Sequence, residues 1–121
     1  MSKQQRLFTS FLPAVSSDAV KRMRKVVRGW RIPRQTPATL AELAEQYNSV
    51  IRGWWEYYGS FYQTAMRGLF RYIDRKLEQW ARRKYKTLSR HKQRSGEWLA
   101  RVREDCPRMF AHWSVFGTRV G

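Results

Sequence analysis

The chain has 121 residues, room for one domain, and its 42% hydrophobic and 15% aromatic content is enough to build a core and excludes a disordered chain. Lys and Arg number 25 against 9 Asp and Glu, a formal net charge of +16 at pH 7; such a surplus repels itself when compact and attracts polyanions, so nucleic acid is the expected partner and, on charge alone, an anionic membrane surface the next candidate. A single cysteine, Cys106, excludes an internal disulfide and a Cys-based zinc site; no apolar run nears the roughly 20 residues of a membrane span, and MSKQQRLFTSF lacks a signal-peptide core, so a reducing, cytoplasmic setting is expected.

A first helix is expected from an N-cap at Ser16 or Ser17, with Asp18 in its opening turn. Projected at about 100° per residue, Ala19, Val20, Met23, Val26, Val27 and Trp30 share one side, and Lys21, Arg24, Lys25 and Arg28 the other, with Arg22 and Arg31 flanking. Pro33 and Pro37 mark the linker that follows. TLAE, residues 39 to 42, is a capping box opening a second helix. Its stripe of Leu40, Leu43, Ala44, Tyr47, Ile51, Trp54, Tyr58 and Phe61 is the strongest periodic signal in the chain, and its far side carries Glu42, Glu45 and Glu56. Gly53 is expected where a neighbouring helix comes close, and Gly59 near the helix end.

A third helix is expected from about Thr64 to Ser89, burying Met66, Leu69, Phe70, Ile73, Leu77, Trp80 and Ala81. Arg67, Arg71, Arg75, Arg82 and Lys86 line another of its faces. Asp74 and Glu78 are near enough in sequence to pair with part of that stripe. From Arg82 to Arg94 the chain carries Arg82, Arg83, Lys84, Lys86, Arg90, His91, Lys92 and Arg94 without one acid. Complementing a helix dipole takes two or three cations, and surface helices usually intersperse signs, so this run reads as a phosphate-binding surface. A short fourth helix is expected around residues 97 to 104, with PRMFAHWSVF after it as an unassigned apolar tail. With no period-2 segment, the fold class is all-α: a small bundle of three main helices plus a short C-terminal helix, one domain over residues 1–121 with flexible ends at 1–10 and 114–121.

The aromatics on core stripes are expected to be buried; Trp55, Tyr57 and Tyr85 lie off the stripes and are the candidates for stacking on unpaired bases. His91 reads as one more phosphate donor and His112 as a capping or core-edge group, since neither has a Cys, Asp or Glu at metal-ligand spacing. No cofactor, Gly-rich phosphate loop or Ser/His/Asp pattern is expected, and Glu104 with Asp105 is the sole adjacent pair of acids, so the chain is not expected to be an enzyme.

FLPAVS at 11–16, IRGWWEYYG at 51–59, RYIDRKLEQWARRKYKTL at 71–88 and MFAHW at 109–113 resemble, in order and spacing, the maturase-specific domain of group II intron reverse transcriptases, also called domain X or the thumb. RGWxxYYG with WxRRKY is fairly specific; FLPAVS or FAHW alone would be weak. The resemblance implies a helical thumb that contacts intron RNA, assists its folding and splicing, and braces a template–primer duplex beside polymerase fingers and palm. The family's YADD-type polymerase motif and its Cys/His endonuclease module do not occur here. That leaves a free-standing short reading frame, which Met1 and Gly121 favour, or a piece of something larger. The rival readings are a thumb that needs a separate fingers–palm chain, a binder of duplex DNA, and a decayed remnant; membrane binding ranks last because the apolar faces are committed to one core.

Overall fold

A computed structural model of the chain describes residues 8–59 and 62–114, with the side chains of α1 described from Asp18 onward. Four helices follow one another: α1 (Phe8–Trp30), α2 (Leu40–Tyr58), α3 (Gln63–Lys84) and α4 (Lys92–Asp105), with 3-10 turns at Ile32–Arg34 and Lys86–Leu88. A further helical turn spans residues 111–114, and the described residues contain no strand. The all-α expectation holds, with α4 longer than the short helix expected.

α1 begins well before Ser16 and Ser17, so neither caps it. α1 stops at Trp30 because Arg31 turns to a left-handed conformation, φ 54°, and Pro33 lies just beyond. The expected flexible ends fall mainly outside the described residues.

α2 opens with the expected capping box: the Glu42 amide donates to Thr39 Oγ1 (3.1 Å) and the Thr39 amide to Glu42 Oε1 (2.9 Å). Gly53 does not mark a close helix approach; it is exposed, and a Cβ there would meet nothing within 4 Å. At Gly59 a Cβ would collide with the ring of Trp55, so the helix end needs the missing side chain for Trp55 to fold over it.

α3 is the spine, packing against α1, α2, α4 and both 3-10 turns. Met66, Leu69, Phe70, Ile73, Leu77, Trp80 and Ala81 are buried along it, as its period requires. It ends at Lys84 instead of Ser89, where Tyr85 becomes extended (φ −111°, ψ 121°). The chain then turns, buries Leu88 and sends α4 back against α3. The linker after α1 is pinned to this spine: Trp80 Nε1 donates to the Gln35 carbonyl (2.8 Å), and Lys84 Nζ to the carbonyls of Thr36 (2.8 Å) and Ala38 (2.9 Å).

The apolar tail is core. Phe110, Ala111, His112 and Trp113 are all buried, with Phe110 and Trp113 among the largest fully enclosed side chains. Asn48 of α2 clasps this segment, accepting from the Ala111 amide (2.8 Å) and donating to the Met109 carbonyl (2.8 Å).

Candidate nucleic-acid interface

Where α1 crosses α3, Tyr72 gathers cations from both helices. The Arg24 guanidinium lies 5.7 Å from the ring centroid and the Lys76 ammonium 5.1 Å from it. Burial alone would raise the Tyr72 phenol, but a hydrogen bond with Arg28 and the charges of Lys76 and Arg28 outweigh it and hold its pKa below the usual tyrosine value. The Arg24 guanidinium also reaches Gly68 of α3, where a Cβ would lie 3.8 Å from it. The cationic face of α1 is thereby joined to α3 by a tyrosine.

α3 continues the surface. Arg71 and Arg75 are exposed, and about 100° per residue puts them on the side opposite the buried stripe, one turn apart, with Arg67 exposed one turn before Arg71. Further along, Pro33, Gln79, Arg82, Arg83, Ser89 and Arg90 line an open cleft. A second cleft at the start of α4 is lined by His91, Lys92, Gln93, Arg94 and Glu97, so one acid sits among its cations.

The basic run of residues 82–94 is divided between two tasks. Arg82 is half-buried and donates from Nη1 to Ser95 Oγ (2.7 Å), and that hydroxyl, fully enclosed, donates to the Lys92 carbonyl (2.7 Å). Lys84 spends two donors on linker carbonyls and lies 5.2 Å from the Trp80 ring centroid. These two cations hold α3 to its neighbours. Arg83, Lys86, Arg90, His91, Lys92 and Arg94 are exposed, spread over the end of α3, the 3-10 turn and the first turn of α4 instead of along one helix. Arg90 sits in the left-handed region, φ 69°, at the turn between them.

Lys21, Arg22, Arg24, Lys25 and Arg28 are all exposed, as expected. Taken at about 100° per residue, Lys21 and Lys25 stand outward, Arg28 and then Arg24 turn progressively toward α3, and Arg22 turns to the other flank beside α2. Sequence reasoning missed Lys76 and Tyr72. The signal was present, since Tyr72 and Lys76 lie four apart on α3 and are neighbours on a helix surface. What spacing could not show is that Arg24 and Arg28 come from α1 to meet them.

Two acids of α3, Asp74 and Glu78, are drawn toward α4 and the tail. Asp74, expected beside the α3 arginines, instead accepts from Arg103 Nη1 (3.3 Å) and Trp113 Nε1 (2.9 Å), and Oδ1 pairs with His112 Nε2 (2.7 Å). The Arg103 ion pair and the His112 hydrogen bond thus end on the same carboxylate. Glu78 faces α4 beside Gly96; burial, then the neighbouring Asp74 charge, push its carboxyl pKa up, with Arg82, Arg75 and Arg103 opposing. His112 is enclosed beside Phe70, Phe110 and Trp113, with Nδ1 unpartnered. It is a core group and not the core-edge group expected.

Of the three off-stripe aromatics, Trp55 packs on Phe70 (ring centroids 6.2 Å) and Tyr85 lies between Trp80 (6.0 Å) and Trp98 (5.7 Å). Tyr57 is 74% exposed. Among the described residues no three His, Cys, Asp or Glu are grouped to hold a metal ion, and no helix is long and apolar enough to cross a membrane.

No curated protein and no solved structure matches the chain. Residues 20–98 match the family model described as group II intron, maturase-specific domain. This segment contains the cationic face of α1, all of α2 and α3, and the first turns of α4, and its extent decides the assignment: the chain belongs to the group II intron maturase-specific domain family.

Proposed function

We propose that this domain binds structured RNA of the group II intron class and assists its folding and splicing by shape and charge, without chemistry of its own. The observation that carries this reading is the Tyr72 junction, where cations of α1 and α3 meet around one ring and the two helices offer a continuous basic face. A duplex backbone laid across it would meet Lys21, Arg24, Arg28, Arg71, Arg75 and Lys76 together. Each neutralised phosphate releases condensed counterions, and that release drives binding. An RNA that shows this backbone array only when folded is bound better folded, so its population shifts toward the folded form.

The test is fluorescence anisotropy with a folded group II intron RNA domain across a salt series. With about six phosphates neutralised, roughly one for each of these cations, the log–log slope is expected near −5. Arg71→Glu with Arg75→Glu is expected to flatten that slope by about 2, roughly one for each cation removed, with helicity unchanged. A slope near zero, or a double variant indistinguishable from the parent, overturns the electrostatic reading. An equal affinity for unstructured RNA of the same length removes the role in folding.

A further inference from the structure

We propose that the seam between α1 and the C-terminal half of α2 is a stacking site for an unpaired nucleobase, with Tyr57 as the ring that receives it. This rests on the RNA-binding reading above and adds a second kind of contact on a second flank of α1.

The seam is a groove of about 300 Å³, lined chiefly by Arg22, Met23, Val26, Trp54, Tyr57 and Tyr58. α1 meets α2 here through rings: Trp30 stacks between Tyr47 (4.0 Å, 16°) and Trp54 (5.8 Å, 11°). Tyr57 stands at the open end of this aromatic series, perpendicular to Tyr58 with centroids 4.7 Å apart. It is the most exposed large hydrophobic side chain among the described residues, and another of that kind, Val26, belongs to the same seam.

Charge selects the occupant. Among the described residues Arg22 lines the groove and no acid does, although Asp18 lies one turn before Arg22 on α1. Glu56 adjoins Tyr57 in sequence, but one residue turns it about 100° around the helix. At that same spacing Arg22, Lys25, Lys21, Arg28 and Arg24 follow one another around the outside of α1, from this seam to the Tyr72 junction. A nucleobase is flat and uncharged, while its flanking phosphates need cations. A tyrosine ring beside an arginine at the end of a cation path meets both needs, and stacking tolerates any base.

The test uses the full chain and two RNA hairpins, one with a single bulged 2-aminopurine and one fully paired. Binding is expected to quench the bulged 2-aminopurine and to favour the bulged hairpin. Tyr57→Leu, which keeps apolar bulk but removes the ring face, is expected to lose the quenching and about tenfold in affinity for the bulged hairpin, while the paired one changes less than twofold. Tyr57→Trp is expected to retain both signals. Unchanged quenching and preference in Tyr57→Leu overturn the site. So does self-association that Tyr57→Leu abolishes with the RNA signals untouched, since the seam then belongs to a second copy. If the parent chain binds neither hairpin, the underlying RNA reading fails and takes the stacking site with it.

Discussion

Asp74 ties three partners to one carboxylate with only 16% of its side chain exposed, and two of them, His112 and Trp113, lie nearly forty residues away in the tail. Losing one partner of such a cluster strands the others, and that desolvated remainder is most of the cost. Asp74→Ala is therefore expected to destabilise the fold by about 2–4 kcal/mol in urea unfolding. Glu78 behaves in the opposite way. A carboxyl whose pKa is raised on folding takes up a proton more readily folded than unfolded. Its ionisation thus works against the fold: the cost is absent well below the unfolded-state value, grows as pH rises through the unfolded and then the folded value, and is complete above both. Glu78→Gln is expected to match the parent in melting temperature in strong acid and to exceed it at neutral pH. A variant that melts lower at pH 7 would show that its attraction to Arg82 and Arg75 outweighs burial. The partners of Asp74 are non-local, so sequence spacing put it with the α3 arginines when it faces α4 and the tail; Glu78 does feel Arg82 and Arg75 on its own helix while it faces α4.

The second helix was legible almost to the residue because its signals are local. A capping box involves four consecutive residues, and Thr39→Ala is expected to cost about 1 kcal/mol wherever the helix packs. The end of α3 was not legible. ARRKYKTL contains no Gly or Pro, and Leu88 would stay on the core stripe if the helix ran on, so periodicity extends it to Ser89. What stops it is tertiary: Lys84 reaching the linker carbonyls, Tyr85 held between Trp80 and Trp98, and α4 returning through Arg82 and Ser95. The consequence for mutagenesis is specific. Charge reversal of Arg82, Arg83 and Lys84 together would damage the helix junction along with the surface, so a loss of RNA binding in that variant would not identify phosphate ligands. Lys84→Met alone is expected to lower stability by about 1–3 kcal/mol in urea unfolding while changing the salt slope for RNA by less than one, because its donors serve the protein. A drop in slope of one or more would make Lys84 a phosphate ligand after all.

Over the whole molecule, cations and core are organised by the same helix. α3 buries one side in the aromatic core and turns the other outward, with the cationic face of α1 brought against it at Tyr72, so the angle of the basic surface depends on core packing. Part of that packing comes from beyond the family-matched residues 20–98: Phe110, Ala111 and Trp113 are buried, and Asn48 and Asp74 reach across to hold them. Composition announced the net charge and the abundance of aromatics, but an irregular apolar tail has no period from which burial can be read. Trp113→Ala would open a large cavity at a 2% exposed site and take away one of the donors to Asp74. Such a change costs about 3–5 kcal/mol, against a total of about 5–15 kcal/mol for a domain. The expected result is a marked fall in the urea midpoint and, at temperatures where the variant is still folded, a salt slope for RNA equal to the parent's, because none of the cations proposed to meet phosphate has been touched. A lower slope in the folded variant would mean that the tail itself meets RNA.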